Sequence, residues 1–141
     1  MPMPQEIATL LDERPIGVLA TVSEDGRPRQ SLVYFAREDD RLLVSTEAGR
    51  WKARDVERTG WASLAVNGVE APYPSATLAG PATIVREGAG PLTARVVQRI
   101  MGADEPPEPQ TDEALAEVGR VILAIDVERI GPVSYVTAEV A

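Results

Sequence analysis

The chain has 141 residues, 44% apolar and 26% charged, with a formal net charge of −8 and neither cysteine nor histidine. Its length suits one domain, and the missing residue types exclude disulfides, thiolate or Ser-His-Asp catalysis, and metal sites built on Cys or His. Net acidity argues against non-specific binding to nucleic acid, and no apolar run approaches the roughly 20 residues that cross a bilayer.

Taken in order, Pro4 to Arg14 sets Ile7, Leu10 and Leu11 at helical spacing before Pro15, which predicts a short amphipathic helix. Two β-rich runs, Ile16 to Ser23 and Pro28 to Ala36, flank Asp25-Gly26, a pair suited to a tight hairpin turn. Arg41 to Thr46 predicts a third strand, and Gly49 to Arg58 a helix that Gly60 ends. Trp61 to Asn67 reads as a strand, and Gly68 to Pro74 as a proline-containing loop. Thr77 to Arg86 resumes β character through Gly80-Pro81, where a bulge or bend is expected.

Pro91 then opens a helix with an apolar stripe of Leu92, Val96, Val97, Ile100 and Met101. ADEPPEPQTDEALAE has the composition of a solvated loop running into a short helix near Asp112 to Val118. RVILAIDVERI is the strongest strand in the chain, and GPVSYVTA adds one more. Hairpin-ordered strands with few helices predict a mainly β (α+β) fold. The expected form is an antiparallel barrel of six to seven strands with peripheral helices, a single domain over 1–141. The N-terminus carries no basic and apolar leader, so a cytoplasmic protein is expected.

Charge is unevenly spread. Arg27 to Arg58 holds eight basic residues against six acidic ones, whereas Gly102 to Glu128 holds one against eight. Inside the basic region lies STEAGRWKARDV, residues 45–56, whose Lys52 is the only lysine beside thirteen arginines. Ser45 and Thr46 end a strand, and Arg50 and Lys52 enter the first turn of a helix. Two hydroxyls, unpaired backbone N–H groups and two cations thus meet where an anion is favoured. The same spacing also fits a plain solvated face, because Arg50, Arg54 and Arg58 recur every four residues with Asp55 or Glu57 as partners.

The chain resembles the pyridoxamine-phosphate-oxidase-like split β-barrels, above all their F420-binding branch of flavin/deazaflavin oxidoreductases. The resemblance rests on residues 7–86. It comprises the A-T-x-x-x-D-G-x-P hairpin at Ala20 to Pro28, the strand ending Ser45-Thr46, G-R-x-K-x-R at Gly49 to Arg54, and S-L-x-V at Ser63 to Val66. It implies a homodimer with coenzyme F420, or alternatively FMN, in a groove between subunits. Ser45, Thr46, Arg50 and Lys52 would hold the cofactor phosphate. Gln30, Ser31, Leu32 and Val33 would line its ring, chiefly through backbone groups, and Trp51 would cover the cofactor or pack.

Asp55 stands where the family often has Asn, so Arg54 or Arg58 must neutralise it. Tyr34 is expected to be buried with its hydroxyl satisfied rather than to donate a proton. Arg29 meets an anionic substrate or faces solvent, Tyr73 belongs to a loop near the groove, and Tyr135 is expected in dimer packing. The implied activity is hydride transfer from reduced F420 to an unsaturated organic small molecule. An FMN-dependent enzyme and a non-catalytic F420 carrier are the alternatives. No metal and no catalytic side chain are assigned.

Overall fold

The computed structural model describes residues 3–134. Seven strands run in the order β4-β1-β2-β3-β6-β5-β7, and β4 also pairs with β5. These are β1 (Ile16–Val22), β2 (Pro28–Glu38), β3 (Arg41–Glu47), β4 (Trp61–Asn67), β5 (Ser75–Val85), β6 (Arg120–Asp126) and β7 (Arg129–Ser134). The β4–β5 ladder closes the first six into an antiparallel barrel, and β7 lies outside the ring along β5. The expected mainly β barrel is therefore the observed one. RVILAIDVERI is not one strand, however. The ladder of β6 ends at Asp126, and the chain turns through Val127 and Glu128 to begin β7 on a different neighbour. Tyr135 lies outside the described residues.

Gly80 makes that exchange of neighbours possible. The first half of β5 pairs with β7 and the second half, Ala82 to Val85, with β6. Where the partners change, the backbone of Asp126 passes so close that a Cβ on Gly80 would sit 1.8 Å from its carbonyl oxygen. Only glycine fits there.

Leu19, Phe35, Leu42, Val44, Leu64, Leu78, Leu123 and Ile125 fill the barrel. Helix α1 (Gln5–Glu13) adds Ile7, Leu10 and Leu11 to that core, each worth about 1.5–3 kcal/mol on burial. A second cluster lies outside the wall, where Leu43, Ile122 and Ala124 meet Ala89 and Val96 of α3 (Ala89–Met101) and Leu115 of α4 (Asp112–Glu117). Covered on both faces, β6 reads as a continuous apolar run rather than an alternating one. The stripe expected on α3 is only partly used: Val96 is fully buried, whereas Ile100 and Met101 stay exposed. Helix α2 (Trp51–Thr59) ends as expected at Gly60, which adopts the left-handed conformation.

Candidate functional site

The site begins where two strands part. β2 and β3 pair from Phe35–Val44 to Glu38–Arg41, and no further ladder joins them among the described residues. The parting leaves half of β2 with a bare edge. Phe35 N–H donates to the Pro15 carbonyl and Ser23 N–H to that of Arg27, so the odd-numbered residues of β2 turn their backbone groups toward β1. The even-numbered residues turn away, and the backbone groups of Gln30 and Leu32 face the gap without a strand partner. Such an edge offers a flat, polar ligand donors and acceptors at fixed spacing.

Below the gap lies an open groove of ≈ 420 Å3 between β2, β3 and α3. Leu32, Val33 and Tyr34 form one wall and Val97 and Ile100 the other, while Ser45, Lys52 and Arg120 supply polarity. Leu32 is 74% exposed, a large apolar side chain left in solvent beside an unpaired edge. Tyr34 corrects the expectation of a buried phenol, because strand alternation turns it outward with Leu32 and leaves it exposed.

Alternation also separates residues that adjoin in sequence. Leu42 and Val44 point into the barrel and Leu43 points out, so Thr46 faces inward and is buried while Ser45 faces the groove. Ser31 likewise shares the inward side with Val33, and its hydroxyl is buried with no hydrogen-bond partner. An orphaned hydroxyl next to an unpaired strand edge is a polar group still waiting for an acceptor or donor.

Helix α2 starts beside the groove with no side-chain cap, because Arg50 occupies the N-cap position and makes no capping bond. Its first-turn N–H groups therefore favour an anion. Lys52 lines the groove, and among the described residues no carboxylate pairs with it. Burial, reinforced by the charge of Arg50, holds its ammonium below the ordinary value of 10.5. Arg120, the other groove cation, is engaged with Glu47 at 3.7 Å. Arg50 does not line the groove: it is exposed and pairs with the same Glu47 at 3.5 Å.

Trp51, at the start of α2, is not among the residues that line the groove. Its half-buried ring lies 5.6 Å from the guanidinium carbon of Arg29 and 5.4 Å from the ammonium of Lys52. Asp55 turns away from the groove and is neutralised behind α2 by Arg58 at 3.2 Å and Arg29 at 3.4 Å. Arg54 is exposed and takes no part. Arg29 thus meets an internal carboxylate, neither an open anion site nor plain solvent.

The loop carrying Tyr73 lies by α1, where Pro74 joins Leu10 and Gln5 around a different cavity, and it contributes nothing to the groove. The α3 wall was not read as part of a site. Its signal was the apolar stripe, which runs further toward Ile100 than a helix of this length needs for its core contact.

A model of the pyridoxamine 5'-phosphate oxidase family matches residues 3–134. Among solved structures, an F420 reductase is 28% identical, with a TM-score of 0.70 over 92% of this chain and 98% of that one. A conserved hypothetical protein from Mycobacterium tuberculosis is 25% identical, with a TM-score of 0.72 over 99% and 95%. A haem storage protein from Vibrio cholerae shares the fold at 18% identity, with a TM-score of 0.65 over 96% and 97%. No curated protein matches the sequence.

Proposed function

The chain belongs to the pyridoxamine 5'-phosphate oxidase family, and from that premise we propose that its groove binds a phosphorylated flavin or deazaflavin, with coenzyme F420 preferred to FMN. The observation that carries this reading is Lys52, a part-buried ammonium without a carboxylate partner among the described residues, facing the groove beside an uncapped helix start. An ordinary structural lysine would be solvated or paired. Similarity to an F420 reductase supports the choice of deazaflavin.

In this reading Lys52, Ser45 and the first N–H groups of α2 hold the phosphate, with Arg50 at the rim, reaching it only by releasing Glu47. The bare backbone of Gln30 and Leu32 hydrogen-bonds the edge of the ring system. Leu32, Tyr34 and Ile100 give the ring an apolar bed and exclude water from its face. The reduced cofactor supplies a hydride for an unsaturated organic acceptor. The chain's part is orientation, which lowers the barrier, and solvent water supplies the proton that balances the hydride.

Ile16, Val22, Leu32 and Tyr34 leave the outer face of the β1–β2 hairpin apolar and exposed, which supports a homodimer whose second copy closes the groove. Fluorescence titration with F420 and, separately, FMN tests the cofactor. Binding of F420, and oxidation of the separately prepared reduced coenzyme on addition of an enone or quinone, is the expected result. Failure of both titrations would reject the reading, and tight binding without turnover would leave a carrier. Sedimentation at micromolar concentration checks the dimer.

A further inference from the structure

We propose that Asp55 is a positioning residue: from behind α2 it holds Arg29 against the Trp51 indole, and this stack sets where the Lys52 ammonium meets the groove. The inference rests on the reading of Lys52 as a phosphate ligand and adds to it the device that orients the lysine.

Asp55 is 1% exposed, and its donors come from three elements. The Thr21 hydroxyl of β1 donates at 2.9 Å, Arg58 of α2 donates at 3.2 Å, and Arg29 of β2 pairs at 3.4 Å. Thr21 and Arg29 face each other across the β1–β2 ladder, so one carboxylate joins α2 to both strands of the hairpin. Arg58 also donates to the Val22 carbonyl at the end of β1. Removing a buried carboxylate from such a set leaves its donors unsatisfied and its cations unbalanced.

The consequence for the groove passes through one ring. Arg29 and Lys52 both lie within cation–π range of the Trp51 indole. Two cations on one indole repel each other, and Arg50 adds to the repulsion felt by Lys52. Asp55 offsets the charge of Arg29 and fixes its guanidinium, which lets the ring keep both. Lysine has four flexible bonds, and an ammonium already fixed by an aromatic face loses less freedom when it takes up a ligand.

Because Lys52 is the only lysine, protein labelled with lysine carrying 13C at Cε alone gives a single side-chain resonance that reports its position without any ligand. In the wild type that signal is expected to be displaced upfield by the ring current of Trp51. Asp55→Asn keeps an acceptor for Thr21 but loses both ion pairs, and it is expected to abolish the displacement, as is Arg29→Gln. Arg29→Lys, which keeps the charge, is expected to restore part of it.

The same variants are titrated with riboflavin 5'-phosphate and with riboflavin, so that the ratio of the two affinities isolates the phosphate. That ratio is expected to fall about 5- to 10-fold in Asp55→Asn and Arg29→Gln, and no further in the double variant. An Asp55→Asn protein that melts earlier but keeps the wild-type lysine signal and affinity ratio would show that the carboxylate only pins α2, and would overturn the proposal. A wild type that binds both ligands equally would instead reject the phosphate reading, while the lysine signal still decides whether Asp55 sets the ammonium.

Discussion

Helix α3 separates two cavities that are both lined by cations, yet the two differ in what their cations are free to do. On one side, Arg37, Arg95 and Arg99 surround a space of ≈ 580 Å3 with Asp12 and Gln98. Every guanidinium there is engaged. Arg37 grips Asp12 with two nitrogens, at 2.8 and 3.1 Å, and Arg95 donates to the Arg37 carbonyl. Arg99 donates to the carbonyls of Leu11, Asp12 and Arg14, where α1 ends without a basic residue of its own. On the other side, a smaller groove holds, among the described residues, Lys52 without an ion pair, a strand edge without a ladder, and nearby the Ser31 hydroxyl without a partner. A larger, more basic cavity is thus cement between helices, and a smaller one is the candidate site. Uncommitted polar groups distinguish the two, whereas positive charge alone does not.

Substitutions should divide along the same line. The largest effect on binding is expected from Lys52→Ala, which weakens a phosphorylated flavin or deazaflavin by about 1–3 kcal/mol and leaves the melting temperature nearly unchanged; calorimetric titration and melting curves read the two. Arg99→Ala should do the reverse. Loss of three carbonyl contacts at the end of α1 lowers stability by about 1–2 kcal/mol with cofactor affinity intact, as seen by urea unfolding. A loss of affinity there would erase the contrast between the cavities. Arg37→Met removes one exposed bidentate pair and should cost about 0.5–1 kcal/mol of stability. The smallest change is expected from Arg50→Ala, roughly 0.5 kcal/mol or less in affinity, because its guanidinium is exposed and shared with Glu47.

Proton uptake sharpens the comparison further. Lys52 is held below 10.5 chiefly by burial and then by Arg50. Only its charged form can balance a phosphate. Affinity should therefore be full below the lowered value and decline as pH rises through it, at a lower pH than a solvated lysine would require. Lys52→Arg, permanently charged, should flatten that alkaline decline even if its larger planar head binds less well.

Much of this architecture was legible in the sequence because it depends on local pattern. Asp25-Gly26 between two β-rich runs meant a hairpin, and Gly60 after Arg58 meant a helix end. Lys52 also stood out, as a lone lysine at a strand-to-helix junction. The residues that sequence reading grouped with it were then sorted by the pleat. Ser45 and Leu32 turned to the groove, Thr46 and Ser31 turned to the barrel, and Trp51 became the platform for two cations.

What the chain order determined by itself was the succession of strands and helices and the strand-to-helix junction that carries Lys52, since turn chemistry, periodicity and helix ends act over a few residues. Only the tertiary structure decided which cations remain uncommitted, that β2 parts from β3 beyond Phe35, and that Asp55 answers to Arg29 and Thr21. Those outcomes depend on partners 26 to 34 residues away in sequence or on another strand's register, and such distances are set by barrel closure rather than by any local preference.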